Sequence, residues 1–233
     1  MAQLPLDIKP RLSYTAENFV VHEGVADLLK HSLALLKGGR FQALFIMGEQ
    51  RSGKTHLAVR LVDELRRRRL QAELIEGRDF ETWVGGQAGQ RLCAVQCFVV
   101  DDAHLYLGKL SPSRSGELVN VIEKMRVAGS KLVLLSLLSL DAFSFDEHVR
   151  SRLLAGHGFE IGPPGCGDIK HLLRQMCWQR GVALSARKIA FLEKRLERSL
   201  SAIESFSERL LLTLRKRSPA SAFSILQEAI HGI

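Results

Sequence analysis

Short, uninterrupted apolar runs recur along the chain, at 41–47, 72–75, 97–100, 131–138 and 159–161. Between them apolar residues return every third or fourth position, as in Leu57, Leu61, Val62 and Leu65, or Leu118, Val119, Ile122 and Met125. Runs of the first kind predict strands buried on both faces, and spacings of the second kind predict helices that cover them. The expected fold class is therefore α/β, a parallel sheet flanked by helices. Past the breaker-rich segment Gly162-Pro163-Pro164-Gly165-Cys166-Gly167 no further strand pattern occurs. Helices are expected near 168–180, 185–197, 199–216 and 221–231, with breaks at Gly181, Ser199 and Ser218-Pro219. The pattern divides the chain into a tail (1–12), an α/β domain (13–164) and a small all-helical lid domain (165–233).

Composition narrows the class. At 233 residues, 46% hydrophobic and 25% charged, the chain can bury a large core and resembles neither disordered nor fibrous sequences. No apolar run is long enough to span a bilayer, and no basic segment followed by an apolar one opens the chain, so a cytoplasmic protein without membrane contact is expected. The four cysteines form no C-x-x-C pair, which argues against a zinc site and for free thiols. A net charge of +8 favours an anionic partner. The densest basic run, Arg66 to Arg69, ends a predicted helix, where cations favour the negative end of the macrodipole and can simply form a solvated face.

The sharpest signal is Gly48-Glu49-Gln50-Arg51-Ser52-Gly53-Lys54-Thr55, a G-x-x-x-x-G-K-T loop between a predicted strand and a predicted helix. Glycines let successive amides turn toward phosphates, and the helix adds its positive end. Lys54 then reaches the outer phosphates and Thr55 ligates magnesium. About 45 residues on, Phe98-Val99-Val100-Asp101-Asp102 ends an apolar strand in two carboxylates, the first able to hold the metal and the second to orient a water. The bland alternatives are turn-forming glycines and a helix cap at Asp101-Asp102. The two motifs together favour ADP or ATP with Mg2+.

In this order the motifs resemble the AAA+ proteins of the bacterial replication initiator (DnaA/Hda) family, and the resemblance runs through most of the chain. Tyr14 to Val21 is similar to the segment that lines that family's adenine pocket, which implies nucleotide contacts from Asn18, Phe19, Val20 and Val21. His56 continues the P-loop, and Asp101-Asp102-Ala103-His104 continues the acidic motif, in the family's way. Val149-Arg150-Ser151-Arg152-Leu153 resembles the segment bearing the arginine finger, which implies that Arg152 acts in trans on ATP held by DnaA. Arg150 is the competing candidate. Gln3-Leu4-Pro5-Leu6-Asp7 resembles a peptide that docks on the DNA polymerase sliding clamp (beta subunit), with Gln3 hydrogen bonding and Leu4 and Leu6 as apolar anchors beside Pro5. An ordinary polar tail is the plain alternative. The sequence shows no counterpart of the initiator's helix-turn-helix domain, which the resemblance reads as the shorter, regulatory branch.

The pattern also departs from the family. Leu137 stands where a polar sensor residue follows the fourth strand, with Ser136 and Ser139 as the nearest hydroxyls. Ser201 stands where the lid presents an arginine, with Arg198 nearby. The expectation is a competent nucleotide site with weak or no ATPase activity of its own, in a regulator that stimulates hydrolysis by DnaA and limits re-initiation of chromosome replication. A DnaC-like helicase loader or DNA-remodelling ATPase is the alternative. Weak or indirect DNA contact and self-association are compatible with either.

Overall fold

A computed structural model describes residues 14–87, 92, 94–110, 115–216 and 222–231. The Gln3 to Leu6 motif lies outside these residues. The chain separates into two compact units, one spanning Thr15–Gly165 and the other formed by the residues from Cys166 onward.

The first unit is built on five parallel strands, β1 (Gln42–Met47), β2 (Ala72–Glu76), β3 (Cys97–Asp101), β4 (Lys131–Ser136) and β5 (His157–Glu160), in the order β2-β3-β4-β1-β5. Its helices include α1 (Glu23–Leu36), α2 (Lys54–Arg67), α3 (His104–Leu107), α4 (Ser115–Ala128) and α5 (Glu147–Leu154). Every residue of β3 and β4 is buried, which explains why these strands read as unbroken apolar runs. Side chains nevertheless alternate between faces. Leu44, Ile46, Val99, Val133 and Leu135 meet α1 and α2 through Leu28, Leu36, Leu57, Leu61 and Leu65. Phe45, Phe98, Val100, Leu132 and Leu134 meet Phe80, Trp83, Tyr106, Leu118, Ile122 and Met125 on the other face.

Element ends differ from the sequence expectation where local chemistry intervenes. Strand β4 stops at Ser136, two residues early, because the Ser136 hydroxyl accepts from the Leu138 amide (3.0 Å) and reaches the Leu138 carbonyl (2.7 Å), turning the chain. Helix α2 stops at Arg67, and Arg69 takes a left-handed conformation (φ 64°). The fifth strand begins two residues before the expected apolar run, paired with β1 from Leu44↔His157 to Met47↔Glu160.

The second unit is all-helical: α6 (Ile169–Gln179), α7 (Ala186–Glu193), α8 (Leu200–Lys216) and α9 (Ala222–His231). Ile169, Leu172, Leu173, Ile189, Leu192, Ile203, Phe206 and Leu210 are buried. Ser185 accepts from the Lys188 amide (3.5 Å) and Ser199 from the Ala202 amide (3.1 Å), capping α7 and α8. The Arg180 side chain, 4% exposed, lies 3.6 Å from Glu208 and 4.0 Å from Glu204.

Leu61 is fully buried between α2 and the sheet. Leu61→Ala is expected to cost about 2–5 kcal/mol in chemical denaturation through lost burial and the cavity left behind; a smaller loss would mean that the α2–sheet interface can collapse around it.

Candidate nucleotide site

Strand order decides where the chemistry collects. Because β4 lies between β1 and β3, the segments leaving all three carboxyl ends are hydrogen-bonded neighbours. Gly48 N–H donates to the Ser136 carbonyl (3.1 Å) and Ala103 N–H to the Leu135 carbonyl (2.8 Å). This edge, at a reversal of strand order, is where open α/β sheets bind ligands.

The loop from Gly48 to Gly53 turns tightly. A Cβ at Gly48 would collide with the Ser52 hydroxyl and Ile161. Gly53 caps α2 in the left-handed region (φ 91°) and Arg51 also sits there (φ 62°), a conformation that a non-glycine residue adopts at a cost. No side chain caps α2, so its first amides face the loop, as an anion requires.

Lys54 is buried, and its ammonium donates to the Gly48 carbonyl (2.9 Å) and the Glu49 carbonyl (2.7 Å). Burial holds its pKa below the usual lysine value, opposed by the nearby Asp102 and Asp101 carboxylates. Asp101 is shifted the other way. Burial pushes its carboxyl up and Asp102 adds to this, while a hydrogen bond from Thr55 and the charge of Lys54 pull it down. Asp101 Oδ1 and Ser52 Oγ are buried without a hydrogen-bond partner. Each such atom costs about 1–3 kcal/mol, a cost that a phosphate oxygen or a cation can relieve.

The residues present therefore fit a magnesium nucleotide. Thr55 and Asp101 would hold the metal, which supplies charge neutralisation at the phosphates. Among the described residues no group of three or more His, Cys, Asp and Glu is gathered for a metal.

Asp102 has a left-handed backbone (φ 51°) and a half-exposed side chain. His104, whose motif the sequence flagged but whose contacts it did not, lies with Nδ1 3.9 Å from Asp102 Oδ1 and 3.4 Å from the Leu137 amide nitrogen, which donates to it. The Leu137 side chain, 38% exposed, follows β4 at the same edge.

The segment ahead of α1 is tied to the P-loop helix. His56 Nε2 lies 2.8 Å from the Thr15 carbonyl, Arg60 donates to the Ala16 carbonyl (3.2 Å), and Phe19 packs edge-on against the His56 ring at 5.2 Å. Burial holds the His56 pKa below the usual imidazole value, opposed by the hydrogen bond to the Thr15 carbonyl. Asn18, Phe19 and Val20 are half-buried in this segment, and Val21 is exposed.

Arg152 stands apart from this cluster, on α5. Its Nε donates to Glu123 of α4 (2.7 Å) and its Nη1 to the His148 carbonyl (2.9 Å). Arg150 is bound by Asp141 (2.9 Å) and the Phe143 carbonyl (3.3 Å). In the lid, Arg198 precedes the Ser199 cap and reaches Cys166 Sγ (2.9 Å), so it does not share a helix with Ser201. Two of the four cations in the Arg66 to Arg69 run meet carboxylates, Arg67 with Asp63 (2.9 Å) and Arg68 with Glu64 (2.8 Å), and Arg66 donates to the Ala72 carbonyl.

A P-loop, an acidic strand end beside it, the sheet order and a helical unit define an AAA+ fold. Domain III of the replication initiation protein DnaA of Thermotoga maritima shares it, with 24% identity over 94% of both chains and a TM-score of 0.71. AMPPCP-bound DnaA of Aquifex aeolicus is similar too, at 19% identity over 94% of this chain and 69% of that one, TM-score 0.69. So is the RuvB Holliday junction branch migration motor of Thermotoga maritima, at 18% identity over 95% and 72%, TM-score 0.64. No family model matches the sequence, and no curated protein does. No helix among the described residues is long and apolar enough to cross a membrane.

The raised pKa of Asp101 gives a signed prediction. The unfolded chain loses this proton first, so stability falls as pH rises from the ordinary carboxylate value through the folded one. Asp101→Asn should therefore raise the thermal midpoint without nucleotide at neutral pH, with the gain disappearing below about pH 4. The same variant should lose the magnesium-dependent part of nucleotide stabilisation, and Lys54→Ala most of the whole. An Asp101→Asn protein less stable than wild type at neutral pH would contradict this account.

Proposed function

We propose that the chain is an Hda-type regulator: it binds ADP or ATP with Mg2+ mainly as a conformational ligand, docks on the sliding clamp through Gln3 to Leu6, and presents Arg152 to ATP held by DnaA. The observation that carries this reading is the pairing of a P-loop and an acidic strand end with an apolar residue, Leu137, at the strand end between Gly48 and Asp101. Leucine cannot orient a water, so binding is favoured over turnover. Arg152 supports the same reading. A guanidinium offered across an interface can neutralise charge on a transferring phosphoryl group, an effect of about three to five orders of magnitude in rate. In the free chain it is held by Glu123, so engaging a partner means exchanging one carboxylate for phosphate oxygens. Asp102 is assigned to water activation in whatever hydrolysis the chain itself performs.

A second reading, a DnaC-like helicase loader or DNA-remodelling ATPase, rests on His104. Its imidazole beside Asp102 and the Leu137 amide offers a polar group at the place the leucine leaves apolar.

The test is phosphate release from ATP-loaded DnaA in the presence of clamp on DNA. The wild-type chain should stimulate it, Arg152→Ala should abolish the stimulation, and deletion of Gln3 to Leu6 should raise the concentration required. Glu123→Gln, which loosens the hold on Arg152, should preserve or increase it. Phosphate release by the chain alone, lost in His104→Ala, would favour the second reading; absence of stimulation by wild type would sink the first.

A further inference from the structure

The helical unit carries a group of cations outside the P-loop and the acidic strand end. From Cys166 onward the sequence carries twelve Lys and Arg against six Asp and Glu, +6 of the chain's +8. Glu204 and Glu208 are spent on the buried Arg180. Part of the surplus lies on α7 and the turn that follows it, where Arg187, Ala190, Phe191, Lys194 and Arg195 line an open depression of about 350 Å³. These positions repeat at helical spacing, while Ile189 and Leu192 turn into the core. Glu193, two positions from Phe191, is about 200° round the helix and does not line the depression. The Arg195 guanidinium lies over the Phe191 ring, 3.8 Å from its centroid, and donates to the Phe191 carbonyl (3.2 Å), which fixes a cation on a flat, half-exposed aromatic surface.

We infer that this face of α7 binds the phosphate backbone of a nucleic acid. Three cations line a concave surface free of carboxylates. Arg187 and Lys194 are separated by about 10.5 Å of helix rise, so the two can meet different phosphates. The guanidinium stacked on Phe191 suits phosphate and sugar contact better than a flexible ammonium would. A second depression, lined by Arg40, Phe41 and Arg126 among others, has similar composition, but Glu123 stands 4.0 Å from Arg126 and offsets its charge. The inference does not depend on the regulatory reading, because it concerns binding by the chain alone.

The experiment is fluorescence anisotropy of a labelled oligonucleotide with the full chain, single-stranded in one arm and duplex in the other, titrated across salt concentrations. Wild type should bind at least one of them, which identifies the preferred form. Arg187→Ala/Lys194→Ala/Arg195→Ala should weaken binding at least tenfold and lower the slope of log affinity against log salt by about two to three, since each lost phosphate contact removes about 0.7 to 0.9. Lys194→Glu alone should move both quantities the same way, and the nucleotide-induced rise in thermal midpoint should stay at the wild-type value in both variants. The inference is overturned by any of four results: no binding to either form, an unchanged triple variant, an equal loss in Arg40→Ala/Arg126→Ala, or displacement by polyglutamate as readily as by unlabelled DNA.

Discussion

The placement of β4 between β1 and β3 is the constraint on which the site depends. It forces the loop after β1, the carboxylates after β3 and the turn after β4 into one hydrogen-bonded row, through Gly48 to Ser136 and Ala103 to Leu135. Three segments that are far apart in sequence then share a few ångströms of space. Lys54 and Asp101 consequently shift each other's protonation, with the Asp102 charge acting on both, and whatever side chain follows Ser136 stands in the middle of the row. A parallel sheet of another order would keep the same motifs and lose the site.

That row is also where the molecule carries unfavourable energy. Arg51 and Asp102 hold left-handed backbones, Asp101 Oδ1 and Ser52 Oγ are buried without partners, and Asp101 is desolvated near a second carboxylate. Ser32 Oγ and Trp83 Nε1 are also buried without a partner elsewhere, but at this row such atoms coincide with left-handed backbones and a desolvated carboxylate. Such concentration of strain at one edge is the expected mark of a binding site, since the stability given up there is returned when a ligand supplies the missing charges and donors.

Sequence made the fold legible because its cues are local. Continuous apolar runs marked the buried strands within about two residues, Ser185 and Ser199 marked helix starts, and Gly48 to Thr55 with Asp101-Asp102 marked the row. What escaped is non-local or hinges on a single hydroxyl. Nothing near Arg152 in sequence announces Glu123, 29 residues away, and nothing near His104 announces the Leu137 amide, 33 residues away. The early end of β4 depends on the Ser136 hydroxyl choosing the Leu138 backbone, an option open to any serine at a strand end. Whether Arg198 belonged to the helix of Ser201 turned likewise on the Ser199 cap.

The distribution of basic residues shows why net charge alone is a poor guide. The run Arg66 to Arg69 is the most conspicuous in the sequence, yet Asp63 and Glu64, one turn earlier on the same helix, meet Arg67 and Arg68. Pairs at this spacing contribute only a few tenths of a kcal/mol, but they offset part of the local field that would draw a polyanion. Arg187, Lys194 and Arg195 are inconspicuous because apolar residues interrupt them. Folding into α7 removes the interruption by turning Ile189 and Leu192 inward, and the cations emerge on one surface. Charge becomes a binding feature only after the helix has decided which residues face the same way, so the periodicity that positions the core also positions the field.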